Sequence, residues 1–449
     1  MTVYIPHTDT EISEMLSAIG LRSLDDLFSD IPPAMKTVAS MDLPPGISDP
    51  DVISRMRKTA SANRPCGDDF VCFSGGGSYD HYIPPVVTAL ASRSEYTTSY
   101  TPYQAEVAQG VLQALFEYQT MVSRLSGLPV SNASLYDGAS AVYEAVNMAM
   151  AYTGRQGVWI SRGLNPRWWQ VIETQLTGRD VTITGIPLRG GMTCWEDSGE
   201  SSSSDDPPAA IVVAYPNYLG VIEDLDAAGD VAGALGALLI VAFNPVAMGL
   251  LRTPGSYGAD MAVAEGQSLG IPLSFGGPYL GMLACRDYLL RLLPGRIVGA
   301  TTDNDSRRAY TTTLRTREQD IRRERATSNI CTNQALMAIT AAIHLSWLGP
   351  AGLEVVASRC LSGAHYLHDL LCALDGVQPL YEAPFFNEFA LRVPVEPGAL
   401  LERLADEGFL GGIELEGESG ATGLLVAVTE RRTIQEIEAY TAAFEKAMR

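Results

Sequence analysis

Between Phe70 and Arg325, apolar runs of the β type alternate with segments patterned as helices. That alternation confines the chain to an α/β sandwich on a largely parallel sheet. Gly157-Val158-Trp159-Ile160, Val181-Thr182-Ile183, Ala210-Ile211-Val212-Val213-Ala214 and Ala237-Leu238-Leu239-Ile240-Val241 are the expected strands. The polar stretch from Ser198 to Pro208 reads as a surface loop. Upstream lies an N-terminal arm of short helices. Asp9 is expected to cap one running to about Ile19 and Ser23 another to about Phe28, which Ile31-Pro32-Pro33 ends. Downstream, a helical run from Asn333 to Leu348 stops at Gly349-Pro350, and a second runs from about Leu353 to Leu374. Strands at Phe389–Val393 and Leu424–Val428 follow, with helices at Gly398–Glu407 and Thr433–Met448. The expected division is an arm over residues 1–65, a large α/β domain over 66–330, and a linking helix with a small α/β domain over 331–449.

With 449 residues, 46% of them hydrophobic and 18% charged, the chain can bury at least one large core. A formal net charge of −21 argues against nucleic acid, whose phosphates are bound by clustered Lys and Arg. No stretch approaches the roughly 20 apolar residues of a membrane span, and the acidic start has no basic leader region, so a cytoplasmic protein is expected. Seven cysteines without a C-x-x-C pair read as reduced core thiols. His344, His365 and His368 have neither the carboxylate spacing nor a cysteine partner for a metal site, and none is expected.

The densest cluster of unusual residues is Gly75-Gly76-Gly77-Ser78-Tyr79-Asp80-His81-Tyr82. Its glycines allow positive φ and close backbone approach beside hydrogen-bonding rings. It reads either as a site rim or as a tight turn. Tyr100, Tyr103 and Gln104 stand where the chain turns into a helix that reaches about Leu125. Another helix starts at Tyr136-Asp137-Gly138-Ala139-Ser140, where small residues leave backbone N–H groups open to an anion unless the Asp137 carboxylate caps the helix itself. The arginines Arg315, Arg317, Arg322, Arg323 and Arg325 are expected to form mostly a paired helix face, Glu318 with Arg322 and Asp320 with Arg323.

Lysine is missing from the whole stretch between Lys58 and Lys446. Enzymes of the pyridoxal phosphate class hold their cofactor as a Schiff base on a lysine amine. In a fold of that kind the amine is expected within Glu265-Gly266-Gln267-Ser268-Leu269-Gly270, where Gln267 or Ser268 takes its place. Neither forms an imine. Under the family resemblance given next, many relatives are expected to carry an acid, a candidate partner of a pyridine nitrogen, where this chain has Asn244.

The blocks Gly75–Pro85, Ser94–Gly110, Asn132–Ala141, Gly266–Gly277 and Pro294–Gln334, with the opening Tyr4-Ile5-Pro6-His7-Thr8, closely resemble the N-terminal subunit of the P protein of the glycine cleavage system. The resemblance spans nearly the whole chain. It implies an aminotransferase-like fold (pyridoxal phosphate fold type I) with a large α/β domain and a small C-terminal one. It also implies a homologous second subunit that carries the cofactor covalently, and lipoylated H protein as acceptor, alongside the T and L proteins. The reaction implied is loss of the glycine carboxylate and transfer of the aminomethyl group to the lipoyl arm. Under this resemblance Tyr79, His81, Tyr82, Tyr100, Tyr103 and Gln104 are expected to line a substrate or lipoyl channel. Thr327 and Ser328 are expected to reach the partner's cofactor phosphate, unless Thr327 only caps the next helix. A non-catalytic structural or regulatory partner is the competing reading. A nucleotide-binding protein is disfavoured because no phosphate-loop motif is present.

Overall fold

The computed structural model describes residues 6–38, 43–67, 69–196, 207–415 and 423–449. The chain separates into two units, residues 1–68 and 69–449. In the first unit, helix Asp9–Ala18 is capped by Thr8 rather than Asp9. Thr8 and Glu11 form a reciprocal capping box, satisfying two N–H groups that Asp9 leaves free. Ser23 caps Leu24–Phe28 as expected. Ile31-Pro32-Pro33 does not only end that turn: Pro33 opens a further helix, Pro33–Val38, because its missing N–H costs nothing at a first helical position. Helix Asp49–Ala60 completes the described part of the arm. The opening Tyr4-Ile5 and most of the Ser198–Pro208 stretch lie outside the described residues.

The second unit is built on a seven-stranded sheet. In chain order its elements are α1 (Gln109–Ser126), β1 (Val130–Ser131), α2 (Gly138–Thr153), β2 (Gly157–Ser161), α3 (Pro166–Leu176), β3 (Thr182–Ile186) and β4 (Ala210–Tyr215). There follow α4 (Leu225–Leu235), β5 (Leu238–Phe243), β6 (Met261–Glu265) and β7 (Gly281–Cys285). The strand order is β1-β7-β6-β5-β4-β2-β3, and only β7 runs against its neighbours. β4 and β5 are apolar throughout because both of their faces are covered. Ile211, Val213, Leu239 and Val241 face a core shared with α1 and α4, while Val212 and Ile240 face one shared with α2 and α3.

A long helix, α5 (Ala335–Cys372), leads to a four-stranded sheet of β8 (Gln378–Pro379), β9 (Glu388–Arg392), β10 (Ile413–Leu415) and β11 (Gly423–Ala427), ordered β8-β9-β11-β10. Helices α6 (Pro397–Asp406) and α7 (Ile434–Ala447) accompany it. The expected break in α5 is there: Gly349 has φ 61 and ψ 179, and Pro350 follows. By length and composition α5 could cross a membrane, which the sequence reading had found of no segment. Its Ala338, Ile339, Ala341 and Ala342 instead join the sheet core, and Ala364, Leu367 and Leu371 join the core of the smaller sheet.

The arginine group does not form the expected paired face. The only α-helix there is Gln319–Arg322, too short to align Glu318 with Arg322 or Asp320 with Arg323. Arg315 pairs with Asp320 at 2.9 Å instead. Arg317 turns inward to the Leu293 and Gly295 carbonyls, and burial lowers its guanidinium from the ordinary value.

Candidate active site

Parallel α/β sheets bind ligands beyond the carboxyl ends of their strands. Here β4, β5 and β6 end on a crevice lined by Asn217, Asn244, Glu265, Trp168 and Ser268. Two of the N–H groups at the start of α2, those of Gly138 and Ser140, are already engaged. Asp137 caps the helix through Ser140 N at 2.7 Å, as its place in the sequence suggested. Glu265, unremarked in the sequence reading, accepts from Gly138 N at 2.9 Å, Leu280 N at 3.0 Å and Gln267 N at 3.1 Å. Burial pushes the Glu265 carboxyl up to about 7, against these three bonds that favour its charge. Trp168 lies over the same spot, so that a Cβ on Gly138 would come within 2.4 Å of its ring.

Gln267, in the place expected of an imine lysine, ties two loops together. Its Oε1 accepts from Tyr79 N at 2.9 Å, and its Nε2 donates to the carbonyls of Tyr79 at 3.1 Å and Ile271 at 2.9 Å. Asn244 turns back on its own loop, its Oδ1 accepting from Val246 N at 2.9 Å. These residues do not fit a covalently held pyridoxal phosphate. No amine is present, and a phosphate at the start of α2 would meet the Glu265 carboxylate.

The glycine-rich segment has the expected backbone. Gly76 and Gly77 have φ 72 and 105. Gly76 N donates to Glu388 Oε1 at 2.6 Å, and the Tyr79 hydroxyl donates to Glu388 Oε2 at 2.8 Å. Burial first, then the Glu388 charge, raises the Tyr79 phenol well above its ordinary value. His81 Nδ1 lies 2.6 Å from Glu430 Oε2, and Tyr82 N donates to Glu430 Oε1 at 2.7 Å. Burial works to raise the Glu430 carboxyl, but the His81 hydrogen bond and charge more than offset it and hold it at about 2. Glu388 and Glu430 escaped the sequence reading. The usable signal was an acid inside an apolar strand run at 388, and one just after such a run at 430.

The channel residues do not share one cavity within this chain. Tyr79 lines the crevice, His81 and Tyr82 line a second cavity, and Tyr103 lines a third recess with Arg296 and Arg315. Tyr100 and Gln104 are exposed. Thr327 and Ser328 sit beside Gly295 and Arg317. Thr327 does not cap the next helix, because α5 begins at Ala335 with Gln334 before it. The Thr327 carbonyl accepts from Asn147 Nδ2, whereas its hydroxyl has no partner among the described residues. Ser328 Oγ accepts from Ile330 N at 3.0 Å.

One histidine reading needs correction. His368 does have a cysteine neighbour, Cys372 Sγ at 3.6 Å one helical turn on. His81, Cys360 and Glu430 also bring metal-capable atoms within 4.8 Å of one another. Hydrogen bonds account for the latter group, since the Cys360 thiol donates to Glu430 at 3.5 Å and burial raises that thiol well above its ordinary value.

Glu388 offers a stability test. Burial lifts its carboxyl from 4.5 to about 7, so the folded chain holds the proton more tightly than the unfolded one. Its contribution to stability is complete below about pH 4.5 and is lost as pH rises through about 7. Glu388→Gln should therefore lose less stability than the parent between about pH 5 and 8, by roughly 3 kcal/mol. Urea unfolding across that range reads the difference, and parallel pH profiles would refute it.

The sheet order, the single reversed strand and the carboxyl-end crevice define the fold of the pyridoxal-phosphate-dependent aminotransferase class. Alanine–glyoxylate aminotransferase from Nostoc sp. shares that fold, with a TM-score of 0.58 at 16% identity over 86% of this chain and 97% of its own. Within the class, the chain belongs to the glycine cleavage system P-protein family, whose model matches residues 2–444. Probable glycine dehydrogenase (decarboxylating) subunit 1 of Desulforamulus reducens is 46% identical over 441 residues, 98% of each chain. Its namesake in Moorella thermoacetica is 46% identical over 442 residues, again 98% of each. A crystal structure of glycine decarboxylase, the P-protein of the glycine cleavage system, in inhibitor-bound form matches with a TM-score of 0.92 at 43% identity. That match covers 99% of this chain and 100% of the other.

Proposed function

We propose that this chain is the lysine-lacking subunit of a two-chain glycine decarboxylase in the cytoplasm. It shapes a site shared with a homologous subunit, and that subunit alone holds pyridoxal phosphate. Glycine loses CO₂ there, its aminomethyl group passes to the lipoyl arm of H protein, and the T and L proteins complete the system. The cofactor supplies the electron sink for decarboxylation. The observation that carries the reading is the pairing of full-length family membership with an anion seat taken by Glu265. A second reading, a partner that only stabilises the other subunit, draws support from the internal bonding of Tyr79, His81 and Gln267. Activity of the partner without this chain separates the two.

Thr327 is the residue proposed to reach the partner's cofactor, its hydroxyl being a free polar group of its turn. A hydroxyl on a phosphate dianion makes a charge-assisted bond worth roughly 1.5–3 kcal/mol, so Thr327→Ala should weaken cofactor binding by the assembled complex about 10- to 100-fold. The isolated chain should melt unchanged, since no helix cap is lost. Wild-type affinity on titration of the assembled variant would remove the role.

Tyr103 and His81 test the channel. Tyr103→Phe removes a polar tip from a side chain 76% exposed, so folding and assembly should be untouched. His81→Ala leaves Glu430 without its ring partner and needs a thermal melt beside the kinetics. Each should slow transfer to lipoyl-H protein about 3- to 10-fold at normal assembly. Normal transfer kinetics in both would assign these residues to structure alone.

A further inference from the structure

The segment that leaves β6 toward β7 has a fixed root and a bare tip. In the root, Leu269 and Ile271 are buried, and Gln267 Nε2 holds the Ile271 carbonyl at 2.9 Å. The tip is a tight turn in which Gly276 N donates to the Leu273 carbonyl at 2.9 Å. Its two central residues, Ser274 and Phe275, have φ 43 and 54. Positive φ at both central positions marks the mirror-image turn that Asn and Gly ordinarily form, because a Cβ disfavours the left-handed backbone. A bulky ring is costly there.

Phe275 carries a second cost. Its side chain is 96% exposed, more than any other large hydrophobic among the described residues. A lone exposed apolar residue is ordinary, but one that also holds an unfavourable backbone, on a root fixed by buried neighbours, is not. At that exposure no contact within the chain offsets either cost. The place of the tip points to what does: β6 ends at the strand-end crevice, and Ser268 in the root lines it. On the function proposed above, that is the end of the sheet to which the homologous subunit brings its cofactor. A second copy of this chain would bring no amine there.

We propose, resting on that two-chain function, that Phe275 anchors the interface, its ring seated in an apolar pocket of the homologous, lysine-bearing subunit. Aromatic side chains dominate interfaces when they enter such pockets, and a ring presented by a preorganised turn loses little freedom on binding. Burial of the ring in the partner then offsets the strain of the turn that presents it.

Phe275→Asn and Phe275→Leu test this in the full chain, with thermal melts of each variant alone and its affinity for the homologous subunit measured by interferometry. Asn suits the left-handed turn and removes the ring, so the lone variant should melt no lower than the parent. It should nevertheless bind the homologous subunit about 30-fold more weakly, or worse. Leu keeps an apolar group in the strained turn and should bind at least about fivefold more tightly than the Asn variant. A residue that only supports its own fold would not separate stability from assembly in this way. Parent-like affinity in Phe275→Asn overturns the anchor and leaves the two-chain function standing. Equal affinity in the Asn and Leu variants overturns it as well, since an apolar group then contributes nothing. So does a lone Phe275→Asn chain that melts more than about 3 °C below the parent, because the ring then packs on its own chain. Failure of the parent chain to bind the homologous subunit overturns the anchor and the two-chain function together.

Discussion

Purified alone, the chain is expected to catalyse neither glycine decarboxylation nor glycine–bicarbonate exchange, and both should appear when the partner subunit is added. Covalent use of the cofactor needs an amine at the strand ends. None of the three lysines belongs to the seven-stranded sheet or its loops: Lys36 and Lys58 are part of the first unit, and Lys446 sits in α7, where it pairs with Glu407 at 2.6 Å. Activity of the lone chain should fall below about a thousandth of the reconstituted complex, the least that loss of the reacting group explains. Borohydride treatment in the presence of cofactor gives a second reading. Stoichiometric fixation onto any of the three lysines would sink the proposal, and full activity of the partner alone would leave this chain a bystander.

The largest stability effect is expected from Gly220→Ala. Gly220 follows β4 with φ 83, a conformation that disfavours side chains, and its carbonyl accepts from Phe386 N at 3.2 Å. A Cβ there would lie 1.7 Å from the Glu388 carbonyl oxygen and 2.4 Å from its carbon. Both are backbone atoms of β9, so no side chain can rotate away and the two sheets' connecting segments must part. Overpacking and a left-handed alanine together cost roughly 3–5 kcal/mol. Denaturant unfolding of the chain checks this, and a midpoint matching the parent's would show that the close approach carries no weight.

The parts of this molecule legible in the sequence are those set by local chemistry. β4 and β5 announce themselves as apolar runs, Asp137 as a helix cap, and Gly76 and Gly77 as residues at positive φ. Most of what went unread depends on partners far along the chain. Tyr79 meets Glu388 across 309 positions and His81 meets Glu430 across 349, and no periodicity encodes such pairs. Glu265 was missed for a different reason. It ends an apolar strand as an ordinary polar stop would, and only the approach of Gly138, Gln267 and Leu280 shows it standing in an anion's place. The arginine segment failed because helix pairing rules were applied to a stretch whose α-helix lasts four residues.

Glu265 also separates this subunit's folding from the supply of the cofactor. A protein stabilised by a ligand gains RT ln(1 + [L]/Kd), so a vitamin-starved cell holds less of it folded. Here the N–H groups that another anion would satisfy are bonded from within, and no such linkage operates on them. On the function proposed above, this subunit should persist folded through cofactor shortage, and the proposed lysine-bearing partner would be the point at which scarcity limits assembly.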